Sequence, residues 1–217
     1  MRSTFLQELE ELQQDILRMG TLVEERIGQA VRSLEAGDMQ AAQEIVDGDD
    51  DVDQMQVDIE TRCLEIIALQ QPMAIDLRIV GTAIKIVGDL ERIGDHAVDI
   101  AKVTLRIAGE PLMKPLIDIP RMADLAQRMT RDALRAYVRR DPEAAHELLR
   151  TDDQVDHLYS QVLRELLVYM MEDPRTIHQA THLLFVAQHL ERVADHATNL
   201  GEAVIYMVSG ERKDLNR

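Results

Sequence analysis

Apolar residues recur every three or four positions through most of the chain. Leu9, Leu12, Ile16, Met19, Val23, Ile27, Ala30 and Leu34 trace one stripe, the core-facing edge of a helix. The stripe stops near Gly37, a natural helix C-terminus. The same spacing predicts a second helix over 38–69, interrupted by Pro72, and a third over 74–108. Gly109, Glu110 and Pro111, with Pro115 and Pro120 close behind, form a proline-rich stretch that predicts a linker. Three more helices are expected to begin near 118, 142 and 174. The last two begin where Asp141 precedes Pro142 and Asp173 precedes Pro174, a capping carboxylate followed by proline at the first helical position.

The second set of helices copies the first. Shifted by 103, Asp38, Ala41, Ala42, Glu44, Asp49, Asp50, Val52 and Asp53 fall on Asp141, Ala144, Ala145, Glu147, Asp152, Asp153, Val155 and Asp156. Half of the positions in this sixteen-residue window are identical. Farther on, LERIGDHA (90–97) matches LERVADHA (190–197) at an offset of 100, so the halves differ by three residues in length between these segments. One supersecondary unit is used twice. The expected fold is all-α, with two tandem three-helix bundles related by internal duplication and divided into 1–110 and 111–217.

Composition narrows the function. Apolar residues make up 46% of the chain but aromatics only 3%, a palette suited to helix packing. Forty acidic against 24 basic residues leave a net charge of −16, which repels nucleic acid and anionic lipid. Free phosphate is poorly held by such a surface unless a cation bridges. Cys63 is the lone cysteine, which excludes an internal disulfide and suits a reducing compartment. The opening MRSTFLQELEEL has no apolar run of signal-peptide length, and no stretch approaches the ~18 apolar residues of a membrane span. The expectation is a cytoplasmic protein that meets membranes only through partners.

The duplicated segments also carry the candidate chemistry. Glu91 and Asp95 are four apart on a predicted helix, hence ~40° apart on one face, beside the apolar stripe. Glu191 and Asp195 repeat them. The second helix of each half adds Asp49 with Asp53, and Asp152 with Asp156. Like charges at this spacing destabilise a helix by roughly 0.2–0.5 kcal/mol, and crowding two pairs between neighbouring helices costs more. A multivalent cation neutralises them, and carboxylates without thiolates suit magnesium, manganese, iron or calcium, with zinc possible. Asp99 and Asn199, one turn farther on, are outer candidates. The competing reading is a set of solvated carboxylates paired with Arg92 and Arg192. DGDDDVD (47–53) begins like a calcium loop but has Val52 where glycine is needed. The Glu-x-x-His of ferritin-like sites is absent, because His96 follows Glu91 by five. His178, His182, His189 and His196 share a helical edge. His178 and His182 have the i,i+4 spacing of zinc ligands, but no third ligand is identifiable, and the stripe reads as a half-exposed polar edge or a packing contact. His96 and His196 correspond and are expected to make outer-shell or interhelix hydrogen bonds. No nucleophile elbow, phosphate-cradling glycine loop or dinucleotide fingerprint is present, so an enzyme is not expected.

At these residues the chain resembles the PhoU family of phosphate-transport accessory regulators. The matching stretches are CLEIIALQQPMAIDLRIVGTAIKIVGDLERIGDHAVDIA (63–101), HLLFVAQHLERVADHATNLGEAVIYM (182–207) and the two Asp-rich segments. The resemblance implies a cytoplasmic, often dimeric metal-binding regulator. Such a regulator represses the phosphate-starvation response by linking the transporter's ATPase subunit to a sensor histidine kinase. Carried over by position, it implies metal ligands at Asp49, Asp53, Glu91 and Asp95, and at Asp152, Asp156, Glu191 and Asp195, holding iron, zinc, magnesium or manganese. Asn199 departs from the acidic Asp99, so the two sites are expected to differ. The alternatives are a metal-dependent phosphate-ester hydrolase and a metal-storage protein.

Overall fold

The computed structural model describes residues 2–211, all helix, turn and loop. Eight α-helices follow one another: α1 (Arg2–Ala36), α2 (Met39–Asp47), α3 (Asp49–Gln70), α4 (Ile75–Arg106), α5 (Asp118–Arg139), α6 (Pro142–His146), α7 (Leu148–Glu172) and α8 (Ile177–Ser209). The caps at Asp141 and Asp173 fall where the sequence places them, and Asp38 adds a third that was not read from it. Asp38 accepts the Ala41 N–H at 3.0 Å, and Asp141 accepts those of Glu143 and Ala144 at 3.1 Å. Asp173 caps a 3-10 turn at Pro174–Thr176 before α8 begins, so the sixth long helix starts three residues later than expected.

The helix expected over 38–69 is broken at Gly48. The buried guanidinium of Arg26, on α1, donates to the Gly48 carbonyl and, at 3.2 Å, to Asp51. The Asp51 N–H takes the same carbonyl in a tighter i to i+3 bond. A side chain inserted at the ladder produces the kink. The second half breaks too, at Glu147, and its long helix resumes as α7.

Each half is a three-helix unit: α1, α2–α3 and α4, then α5, α6–α7 and α8. The halves share one hydrophobic core. Helices α4 and α8 pack along each other through the middle, α1 lies against α4 and α5, and α5 lies against α8. These four make a central bundle, with α3 covering the α1–α4 side and α7 the α5–α8 side. Across the α1–α5 seam, Gln127 donates to the Glu24 carbonyl at 2.8 Å and Arg131 pairs with the Glu24 carboxylate. The connection between halves is pinned by Gln179, a buried side chain of α8 that donates to the Pro111 carbonyl at 3.1 Å.

Small residues let the outer helices approach. A Cβ added at Gly94, on α4, would stand 3.2 Å from Val52 of α3. Val52 lies between Asp49 and Asp53, so this contact sets how near those carboxylates come to α4. In the second half Ala194 takes the equivalent place, and the close approach moves to Gly201, where a Cβ would meet Leu148 at 2.8 Å. Gly94→Ala requires Val52 to yield by a few tenths of an ångström, whereas Gly94→Val forces α3 outward and costs about 1–3 kcal/mol relative to the alanine variant. Urea denaturation of the two variants measures the difference; equal midpoints would contradict the close α3–α4 contact.

Candidate metal centres

The kinked α2–α3 arm places Asp49 in the first turn of α3 and Asp53 one turn later, both facing α4. There they meet Asp95. Asp49, Asp53 and Asp95 each offer one oxygen, and these three oxygens lie within 4.8 Å of one another. Opposed ligands of a cation bonded at ~2.0–2.4 Å stand ~4–4.8 Å apart, so the group has the dimensions of a hard-ion site. Glu91, a turn before Asp95, is half-buried and feels the charges of Asp95, Asp53 and Asp49. The four residues of the first half thus converge on one groove.

Burial raises the pKa of Asp49, Glu91 and Asp95 above the ordinary carboxylate range. Neighbouring carboxylates add to the rise: Asp53 for Asp49, Asp95 for Glu91, and Asp53 and Asp99 for Asp95. Charge is therefore being held where water cannot fully solvate it and where its neighbours repel it. The opposing cation in contact is Arg92, which lies 3.5 Å from Glu91 and 3.4 Å from Asp95, while Lys102 offsets part of the rise at Asp49 and Asp95 and Arg26 part of that at Asp49. The Arg92 side chain is 63% exposed, so its pairs are worth little and do not fill the groove between α3 and α4.

The second half repeats the electrostatics with looser geometry. Asp152 is pushed up to about 6, first by burial and then by Asp156 and Asp195. Glu191 is raised by burial and by Asp195, Asp156 and Asp152, while Asp195 and Asp156 are raised chiefly by burial. Among the described residues, however, these four do not bring three oxygens within 4.8 Å of one another. The two halves thus differ in how closely their carboxylates gather. Of the eight carboxylates, Asp53 and Asp156 are exposed and the other six half-buried. The donor set is wholly oxygen, crowded and short of balancing charge, which fits a hard or borderline divalent ion. An ion bound there supplies the positive charge that lets α3 and α4, or α7 and α8, remain packed with their carboxylates ionised.

Sequence reasoning missed the centre of the molecule. His189 is more than a polar edge or packing contact: its Nδ1 faces that of His96 across the α4–α8 crossing at 3.2 Å. His196 donates to Asp89 at 3.0 Å, and Asn199 donates to the same Asp89 oxygen at 3.3 Å. The expected interhelix bonding of His96 and His196 is present, but its partners, His189 and Asp89, come from the opposite half. One signal was available: Asp89 and His189 occupy the same place in the repeat, at an offset of 100. His178 and His182 pack edge to face on the outer part of α8, with ring centroids 4.8 Å apart.

The PhoU domain profile matches this chain twice, over residues 16–104 and 119–204. The chain belongs to the PhoU family. A relative from Clostridium acetobutylicum, described as a phosphate-specific transport system accessory protein PhoU homolog, is 44% identical over 99% of both chains. An Aquifex aeolicus relative of the same description is also 44% identical, covering 94% of this chain and 92% of its own. The crystal structure of PhoU from Pseudomonas aeruginosa superposes with a TM-score of 0.89 at 38% identity, covering 95% of this chain and all of that one. The phosphate transport system regulatory protein PhoU from Streptococcus pneumoniae superposes at 0.90 with 33% identity, over 97% and 99% of the two chains. Both duplicated carboxylate segments lie inside the matched regions.

The raised pKa values fix the sign of a pH effect. Asp152 has an ordinary pKa of 3.8 and a folded value of about 6, so between those values the folded state binds more protons than the unfolded. The contribution of Asp152 to metal-free stability is therefore fully present below that window and is lost as pH rises through it. Thermal melts of chelator-treated protein from pH 4 to 7 should show wild type losing stability relative to Asp152→Asn. Manganese at ~100 times its Kd should restore roughly 2.7 kcal/mol to wild type at pH 7. Parallel pH curves for the two proteins would remove the case for crowded, desolvated charge.

Proposed function

We propose that this chain is a metal-loaded regulatory adaptor of phosphate transport that acts by recognition rather than by turnover. The observation that carries the reading is the double match to the PhoU domain, with a group of three carboxylate oxygens inside the first copy. Relatives matched over nearly their whole length are described as accessory proteins of the phosphate-specific transport system, and a structural neighbour as a regulatory protein of that system. Nothing in those descriptions is enzymatic.

In this reading Asp49, Asp53, Glu91 and Asp95 hold one centre, and Asp152, Asp156, Glu191 and Asp195 the other. The ions are iron, zinc, magnesium or manganese. They lock the outer helices α3 and α7 against the central bundle and so set the shape presented to partners. The partners are the ATPase subunit of a phosphate transporter and a sensor histidine kinase, with a second copy of the chain as a homodimer. The site of action is the cytoplasm. No helix among the described residues is long and apolar enough to cross a membrane, which fits contact with the membrane through those partners alone.

The reading is tested in cells and in solution together. Removing the gene should switch on phosphate-starvation genes in phosphate-rich medium, and a chain carrying Glu91→Gln, Asp95→Asn, Glu191→Gln and Asp195→Asn should fail to restore repression. Elemental analysis of the purified protein should find metal in wild type and most of it lost in the quadruple variant. Normal repression in the deletion strain would sink the regulatory role, and equal metal content in the two proteins would sink the centres.

A further inference from the structure

We infer that His96, Asp99 and His189 form a third metal site, chemically distinct from the carboxylate groups, at the crossing of α4 and α8. One ligand atom from each of the three residues lies within 4.8 Å of the others. The two Nδ1 atoms are 3.2 Å apart, and Asp99 Oδ2 lies 3.9 Å from His189 Nδ1. Two imidazole nitrogens on a tetrahedral zinc with bonds of ~2.05 Å stand ~3.3 Å apart, so the histidines are already spaced as two corners of such a site. Zinc-like ions accept this mixed nitrogen and oxygen set, whereas magnesium and calcium prefer oxygen alone.

Each imidazole ligates in its neutral form. Without a metal, one ring donates its Nδ1 proton to the other. With a metal, that proton sits on Nε2 instead, so the exchange of tautomers leaves the net proton count unchanged. His96 and Asp99 are three apart on α4 and His189 is on α8, so two rigid helices fix the donors in place.

The repeat supplies an internal control. The pseudo-equivalent set is Asp89, His196 and Asn199, with one imidazole, one carboxylate and one amide. There Asp89 accepts from both His196 and Asn199, which closes the network without a metal. The metal-ready geometry thus arises only where the repeat has exchanged Asp for His and kept Asp99. The His96 side of the crossing also opens on a cavity of about 480 Å³. Lys102, Arg106, Gln188 and Arg192 line it, leaving room for a fourth ligand. Lys102 holds Asp99 at 3.3 Å in the structure and must yield it to the ion. The three cations oppose a bare dication, and an anionic fourth ligand offsets them.

Cobalt(II) titration of the full, chelator-stripped chain tests the site. Tetrahedral cobalt bound by nitrogen absorbs far more strongly in the visible than cobalt held by six oxygens. Wild type should show the intense band, with one equivalent displaced by zinc. His189→Asn and His96→Gln should lose that band and equivalent, binding more than ~100-fold more weakly, since even outer partners of a metal site cost ~10–100-fold. The repeat places Asp89 where His189 stands, so a short polar residue is compatible with the fold there. A Glu91→Gln, Asp95→Asn chain should keep the band, which separates this site from the carboxylate centres. An intense band that persists in both histidine variants, or a wild type that shows only the weak oxygen-bound spectrum, would overturn the inference.

Discussion

Repulsion between half-buried carboxylates is the force that the outer grooves of this molecule have to answer. Asp49, Glu91 and Asp95 sit beside an apolar stripe, each with its pKa raised by burial and by its neighbours. Left unanswered, that repulsion would drive α3 away from α4. Packing resists it: Val52 seats against Gly94, and Arg26 clamps the kink from which α3 starts. The contact that stabilises the helix pair is therefore also the one that concentrates the charge, so the groove gains stability from any cation that enters it.

The central bundle makes this arrangement affordable. Helices α4 and α8, one from each half, pack together and are lined with buried Ile, Val, Leu and Ala, so the core runs continuously from one half to the other. Carboxylates can be crowded at the α3–α4 and α7–α8 grooves while the middle of the fold stays intact. The same pair brings residues of opposite halves together, and there the duplication has diverged most in chemistry. One side of the crossing is a closed Asp89, His196 and Asn199 network; the other faces two imidazoles toward each other beside Asp99.

Family membership and site geometry support the regulatory reading in different ways. The relatives share the whole length of the chain and both repeats, which carries the overall role. The grouping of Asp49, Asp53 and Asp95 comes from this structure alone and makes the first half the stronger metal candidate. The second half keeps the charge but spreads it more widely, consistent with a weaker or differently shaped centre.

The sequence by itself was enough to read six helical segments and the pairing of acids four residues apart, which follow from spacing along one helix, and the duplication, which follows from residue identity between the halves. The sequence also placed Asp141 and Asp173 as caps, since capping is a local interaction. Other features depend on residues far apart in the chain, and only the tertiary structure decided them. Gly48 breaks a helix because Arg26, 22 residues earlier, reaches its carbonyl. His189 meets His96 rather than its own neighbours because α8 crosses α4 at that level, 93 residues away. Local pattern records which face a side chain occupies, whereas the packing of distant helices determines what that face meets.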